Sequence, residues 1–138
     1  MIYAFRAALG MIVDEGIEQV WERHRRLATL TREGIKAAGL QLFAQPGFES
    51  DSVTAFRPPS DVTAGEILEL LRRDYGVEAQ GGQAYLADRI IRVGHMGWVH
   101  EPEMRQAIDA ISDACARLSA SDREPAKRNR ASASTATA

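Results

Sequence analysis

Residues 77–97, VEAQGGQAYLADRIIRVGHMG, contain the strand patterns that decide the fold. A short strand pattern leads into a pair of glycines, and a second one, residues 89–94, follows after a short polar turn. In this second strand Ile91 and Val93 share one face, and Arg92 lies on the other. Because adjacent strands joined by short turns pair antiparallel, the stretch predicts part of a small antiparallel sheet.

Two further strands are predicted upstream. Residues 40–44 alternate weakly between apolar and polar side chains, and the Pro46-Gly47 turn signal follows them. Residues 52–56 form the next strand pattern. Pro58-Pro59 ends it, because proline cannot donate a hydrogen bond to a sheet ladder.

Helical periodicity covers most of the remaining chain. Residues 2–38 predict two helices or one bent helix, with a kink or break near Gly16, because glycine costs a helix interior about 1 kcal/mol. Thr63 and Glu66 have the spacing of a capping box, which predicts a helix start, and Gly76 ends that helix.

The last helix is predicted to begin near Pro102, and its apolar side chains form one stripe that packs on the sheet: Met104, Ile108, Ile111, Cys115 and Leu118. Residues 119–138 have almost nothing to bury and are predicted to be disordered. The ordered part, residues 1–118, therefore predicts an α+β two-layer sandwich, in which helices cover one face of a small antiparallel sheet.

The composition excludes several functional classes. The net charge of −2 lacks the basic excess that nucleic-acid binding needs. No apolar run approaches the roughly 18 residues that span a bilayer, so we expect no membrane segment. A single cysteine, Cys115, excludes an internal disulfide and favours a reducing, cytoplasmic location.

No metal centre or acid–base constellation is predicted. The histidines, His24, His95 and His100, form no recognised metal-ligand spacing. His24 lies among arginines and is expected to be a surface or half-buried polar residue. The polar face of its helix is assigned to these residues: Glu22, Arg23, Arg25, Arg26 and Arg32.

Two features near the second strand are candidate site elements. Gly81 and Gly82, followed by Gln83, permit positive φ or close backbone approach to a ligand, although a simple turn explains the pair better when it is taken alone. Arg92 has the planar donor fork that binds carboxylates in bidentate fashion. An ion pair with Glu78, Asp88 or another internal acid is the equally weighted alternative.

The combination resembles a known family. Residues 76–83 (GVEAQGGQ) and 91–97 (IRVGHMG), with AAL at 7–9, EGIEQVW at 15–21 and RHR at 23–25, are similar to the small C-terminal domain of class V aminotransferases of the alanine–glyoxylate and serine–pyruvate group. The resemblance covers about residues 2–118. It implies that Arg92 binds the substrate α-carboxylate, that Gly81, Gly82 and Gln83 lie near the active-site mouth, and that the complete enzyme is a homodimer using pyridoxal 5′-phosphate.

The lysines depart from this family pattern. The cofactor needs a lysine for its Schiff base, but Lys36 lies at the polar end of a helix and Lys127 in the predicted tail. The family's lysine, pyridine-binding aspartate and phosphate-binding residues are expected in a segment that would precede Met1. The resemblance then implies that residues 1–15 form a helix leading in from a large domain, with its apolar face exposed here.

Two functions follow as hypotheses. The first is part of a transaminase that moves an amino group between alanine or serine and glyoxylate or pyruvate, with this chain alone an inactive fragment. The second is a module that binds a small carboxylate, or regulates or interacts with another protein, and complements a separate large domain.

Overall fold

The structure, a computed structural model, describes the backbone of residues 1–133 and the side chains of residues 1–120. The regular elements in this part of the chain are helices α1 (Ile2–Glu15), α2 (Ile17–Ala37), α3 (Ala64–Leu70) and α4 (Glu101–Ala133), and strands β1 (Gln41–Leu42), β2 (Val53–Arg57), β3 (Gln80–Gly81) and β4 (Ile91–Gly94). A π-helical turn, Leu71–Tyr75, extends α3, and a 3-10 turn, Ala84–Leu86, lies between β3 and β4.

The strands form one antiparallel sheet in the order β1-β2-β4-β3. Phe56 of β2 pairs with Ile91 of β4, and both side chains are buried in the core beneath the helices. Arg92 lies opposite Ala55 on one side and Gln80 on the other, on the sheet face that points away from this core. The predicted α+β two-layer architecture is confirmed.

The core lies between the sheet and the helices α2, α3 and α4. Leu27 and Ile35 of α2 and Ile67 of α3 are buried in it. The predicted apolar stripe of the last helix is confirmed, because Met104, Ile111 and Cys115 are buried and Ile108 and Leu118 are half-buried. This stripe therefore holds α4 against α2 and α3, within the core that these helices share with the sheet.

Gly16 separates α1 from α2, as the sequence predicts. Its φ of 88° lies in the left-handed region, which glycine enters without the steric cost that a Cβ imposes. Helix α1 then extends away from the core and has no buried residue. Its apolar side chains, including Phe5 and Leu9, are exposed as expected.

The predicted start and end of the third helix are confirmed. The Thr63 hydroxyl accepts from the Glu66 amide at 3.3 Å, and the Glu66 carboxylate accepts from the Thr63 amide at 2.8 Å. Together these two bonds satisfy otherwise unpaired donors at the helix start. Gly76, with φ 64°, ends the π-helical turn that follows α3.

One predicted strand is displaced in the structure. The strand predicted at residues 77–79 lies instead at β3, because the Val77 amide donates to the Leu71 carbonyl at 3.1 Å and so closes the preceding helix. The backbone of α4 runs to Ala133. The disorder of residues 119–138 stays a prediction, and residues 134–138 lie outside the described residues.

Within residues 1–133, no helix combines the length and apolar character needed to cross a membrane. Among the side chains of residues 1–120, no group of three or more histidine, cysteine, aspartate or glutamate residues could hold a metal ion.

Candidate functional site

Arg92 lies near the middle of the sheet, on β4 between β2 and β3. Its backbone is fixed by both neighbouring strands, while its half-buried side chain leaves the sheet on the face opposite the core. Ala55, directly across on β2, is too small to cover it. The strand alternation that buries Ile91 and Val93 therefore presents the guanidinium on the other face.

The guanidinium of Arg92 is oriented by a single contact. Its Nε donates a hydrogen bond to the Gly81 carbonyl at 2.8 Å. Among the described side chains, its terminal nitrogens Nη1 and Nη2 have neither a hydrogen-bond nor a salt-bridge partner. One edge of the donor fork is thus held by the protein, and the other edge is left for a further acceptor.

Arg92 forms no ion pair with Glu78 or Asp88, the two acids considered as its partners. Glu78 pairs with Arg72, whose Nε lies 3.0 Å from the Glu78 carboxylate. Asp88 is exposed and forms no salt bridge with any described residue. Within the described part of the chain, Arg92 therefore carries no internal counter-ion.

The two glycines serve a tight turn. Neither Gly81 nor Gly82 has positive φ, so that interpretation is wrong. A Cβ on Gly82 would overlap the Leu86 carbonyl and lie 2.8 Å from the Leu86 Cβ, and one on Gly81 would lie 3.1 Å from the Ala87 carbonyl oxygen. The close approach is therefore to the chain's own 3-10 turn, which the exposed Gln83 begins. The simple-turn interpretation is confirmed.

His95 anchors the end of β4. Its Nε2 lies 3.0 Å from the Thr54 hydroxyl, its amide donates to the Ser52 carbonyl at 3.0 Å, and its side chain is fully buried. Its Nδ1 has no hydrogen-bond partner among the described residues. Burial lowers the pKa of this imidazole, so His95 is neutral near neutral pH.

Arg23 is buried, contrary to its predicted place on the polar face of its helix. It was assigned to the solvent-facing side of its helix, yet it is only 9% exposed and binds Glu15 and the loop after β4. Its spacing carried the signal, because it lies three residues after Val20 and four before Leu27, both of which are buried. His24 is half-buried, as predicted, and its Nε2 accepts from the Gly97 amide at 3.2 Å.

Known proteins with similar sequences include aminotransferases. No family model matches the chain. An uncharacterized aminotransferase of Methanocaldococcus jannaschii is 36% identical over 118 residues, which cover 86% of this chain and 31% of that protein. The serine–glyoxylate aminotransferase of Methylorubrum extorquens is 34% identical over 109 residues, or 78% of this chain and 27% of that protein.

A solved structure agrees with these relatives. The crystal structure of ureidoglycine–glyoxylate aminotransferase from Bacillus subtilis superposes with a TM-score of 0.80 at 28% sequence identity, over 85% of this chain and 30% of that chain. The chain matches the C-terminal part of the class V aminotransferases. It spans about 30% of the length of the class V relatives it matches. The family resemblance drawn from the motifs is confirmed.

Proposed function

We propose that this chain serves as the small domain of a pyridoxal-phosphate-dependent class V aminotransferase and that Arg92 binds the α-carboxylate of the substrate. The observation that carries the proposal is the state of the Arg92 guanidinium. Its Nε is held by the Gly81 carbonyl at 2.8 Å, while its terminal nitrogens have no partner among the described residues. The proposed substrates are a small amino acid, alanine or serine, and glyoxylate or pyruvate.

The proposed role of Arg92 is to bind and orient. A guanidinium fixed at one nitrogen presents its other donors in a constant direction, so a carboxylate can accept two parallel hydrogen bonds without much loss of side-chain entropy. Gly81, Gly82 and Gln83 form the proposed active-site loop, since their turn supplies the carbonyl that orients Arg92. The small Ala55 side chain leaves space beside the guanidinium.

The described residues do not fit a complete cofactor site. Pyridoxal phosphate chemistry requires a lysine beside the substrate. Lys36 is exposed at the C-terminal end of α2, next to the β1 edge, whereas Arg92 lies on β4. The proposal therefore assigns substrate binding to this chain and cofactor binding to residues outside those described, and no chemical step is derived for this chain alone.

The remaining parts of the proposal concern assembly. Residues 1–118 are proposed as the small domain, with α1 as the lead-in helix whose exposed apolar side chains pack against the large domain. A homodimer and a cytoplasmic location are proposed from the family resemblance and from the single buried cysteine, Cys115. No nucleic-acid or membrane partner is proposed.

A carboxylate-binding module that complements a separate large domain is the second candidate. It is favoured by the fact that Arg92 is oriented entirely by contacts within this chain. The two candidates share the same site. They differ in whether the large domain belongs to the same polypeptide, and a lysine-bearing reading frame ending directly upstream of this one would favour the second.

The test of the enzymatic proposal is a chimera. Residues 1–118 replace the corresponding C-terminal part of the Bacillus subtilis ureidoglycine–glyoxylate aminotransferase, and glyoxylate-dependent transamination is measured. Arg92→Gln should lower kcat/KM by about 100-fold, because it removes charge-assisted hydrogen bonds to the carboxylate. Arg89→Gln, the same change at an exposed position, is the control. An active chimera in which Arg92→Gln has no more effect than the control contradicts the proposal.

A further inference from the structure

The contact between α1 and the loop after β4 passes through one side chain. Arg23 Nε and Nη2 donate to the two carboxylate oxygens of Glu15, at 2.6 and 2.8 Å. Its Nη1 donates to the carbonyls of Gly97, at 2.7 Å, and Val99, at 3.2 Å. One guanidinium thus joins the last residue of α1, helix α2 and the loop over residues 95–100.

Little else holds α1 in place. Helix α1 has no buried residue, and its junction with α2 is the single residue Gly16. The glycine permits the sharp change of direction but does not by itself select one angle. The bidentate Glu15–Arg23 pair spans that junction; Arg23 is buried and Glu15 is half-buried. The pair is therefore the contact best able to set the bend.

The same guanidinium holds the loop that follows the Arg92 strand. Strand β4 ends at Gly94, and the next residue, His95, is buried and bonded to β2. The following loop is then held by Arg23 at Gly97 and Val99. The Arg23 contacts therefore join α1 to the loop, and the loop backbone from Gly97 to His95 joins that contact to the end of β4.

We propose that Arg23 is a positioning residue that locks the bend at Gly16 and couples the direction of α1 to the loop that follows the Arg92 strand. This deepens the proposed function, in which α1 connects the small domain to the large one. A guanidinium is needed, because a lysine ammonium cannot bind both carboxylate oxygens and two carbonyls in this planar geometry. Positioning would thus depend on the shape of the side chain as well as its charge.

The test is a distance distribution between spin labels in the 138-residue chain, measured by pulsed electron paramagnetic resonance. Labels at Arg6→Cys on α1 and Gln106→Cys on α4 report the bend, since both positions are exposed. The native Cys115 is buried, which raises its pKa to about 11, so it should stay unlabelled. The chain without introduced cysteines checks this.

In the labelled parent chain, diluted with unlabelled chain so that only distances within one molecule are measured, we expect one narrow distribution. Arg23→Lys should broaden it and raise the population of other bend angles by about tenfold, the factor for losing one charge-assisted hydrogen bond. Glu15→Gln, which leaves Arg23 and its carbonyl contacts in place, should broaden it less. Arg26→Lys, an identical change at an exposed position of the same helix, should leave it unchanged.

Several outcomes would overturn the proposed role of Arg23. A distribution that stays narrow in a folded Arg23→Lys chain overturns it, as does a parent distribution that is already broad. If Arg23→Lys does not fold, an unchanged distribution in Glu15→Gln overturns it instead. Lower thermal stability with an unchanged distribution would assign Arg23 a purely structural role and also overturn it. Because no substrate is present, failure of the Arg92 proposal would leave these distances unaffected.

Discussion

At the residue scale, a few polar side chains are held by hydrogen-bond partners that lie far away in the sequence. Arg92 is oriented by the carbonyl of Gly81, eleven residues earlier, and His95 by the Thr54 hydroxyl, forty-one residues earlier. The sequence identified Arg92 from its strand pattern. It could not identify its partner, because that contact exists only once β3 and β4 are paired.

Gly82→Ala should destabilise the chain. The added Cβ would overlap the Leu86 carbonyl, so the 3-10 turn or β3 must shift, at a cost of about 1–3 kcal/mol in the free energy of unfolding. Urea denaturation measures this. Gly65→Ala in α3 is the matched control, because the nearest atom to an added Cβ, the Thr63 hydroxyl oxygen, is 3.9 Å away, and it should be neutral or slightly stabilising. Equal effects of the two substitutions would contradict the close-approach account of Gly82.

Acid should destabilise the fold partly through His95. Burial lowers its pKa below the ordinary 6.5, so the unfolded chain binds a proton at His95 before the folded chain does. The free energy of unfolding should therefore fall as the pH decreases through about 6.5 and recover above it. The groups that face the ring from the packed elements are Arg32, His24 and Asp51.

Urea denaturation at pH 7.5 and 5.5 tests this assignment. His95→Gln keeps a group that can bond to Thr54 but cannot titrate, so it should show a smaller loss between the two pH values than the parent chain. His100→Gln is the control, because His100 is half-buried whereas His95 is fully buried. A parent and a His95→Gln chain with the same pH dependence would assign the acid sensitivity to other groups.

At the element scale, local chemistry predicts the helices better than the short strands. The break at Gly16, the capping box at Thr63 and the apolar stripe of α4 were each set by residues close in sequence, and each was confirmed. Strand β3 was displaced because the Val77 amide closes the preceding helix instead of joining the sheet. Arg23 was missed because a charge on an apolar stripe is buried only when distant carbonyls and a carboxylate satisfy it.

Thr63→Ala should weaken the start of α3. The hydroxyl that accepts from the Glu66 amide is lost, which costs about 1 kcal/mol in the free energy of unfolding. Urea denaturation is again the measurement. Thr29→Ala is the control, because the exposed Thr29 hydroxyl only bonds back to the Arg25 carbonyl of its own helix. A Thr63→Ala chain as stable as the control would show that the capping box contributes little to the fold.

At the scale of the whole molecule, the fold has a well-packed two-layer part and one helix that packs poorly. The sheet and helices α2, α3 and α4 share a core, whereas α1 contributes no buried residue. The two ends of α1 also differ, because Arg23 binds the Glu15 end and not the Ile2 end. The sequence predicted the exposed apolar face of α1 from its periodicity and from the family resemblance. It did not predict which contact fixes the direction of the helix.

The chain should associate reversibly through α1. Phe5 and Leu9 are 65% and 44% exposed, and exposed apolar stripes of this kind drive contact between molecules in water. Sedimentation velocity over a concentration series should show association that the double substitution Phe5→Lys with Leu9→Lys removes. Phe48→Lys, at an isolated exposed position, should leave it intact. Association unaffected by the α1 substitutions would place the interface elsewhere.

The role of Arg92 as a carboxylate ligand can be checked by nuclear magnetic resonance of the arginine side chains during titration with pyruvate. The Nε–Hε resonance of Arg92 and the amide resonances of Gly81 and Gly82 should shift in a saturable way. Arg92→Gln should abolish the glycine shifts, whereas Arg89→Gln should not. Shifts that persist in a folded Arg92→Gln chain, or an Arg92 resonance that pyruvate leaves unchanged, would contradict it.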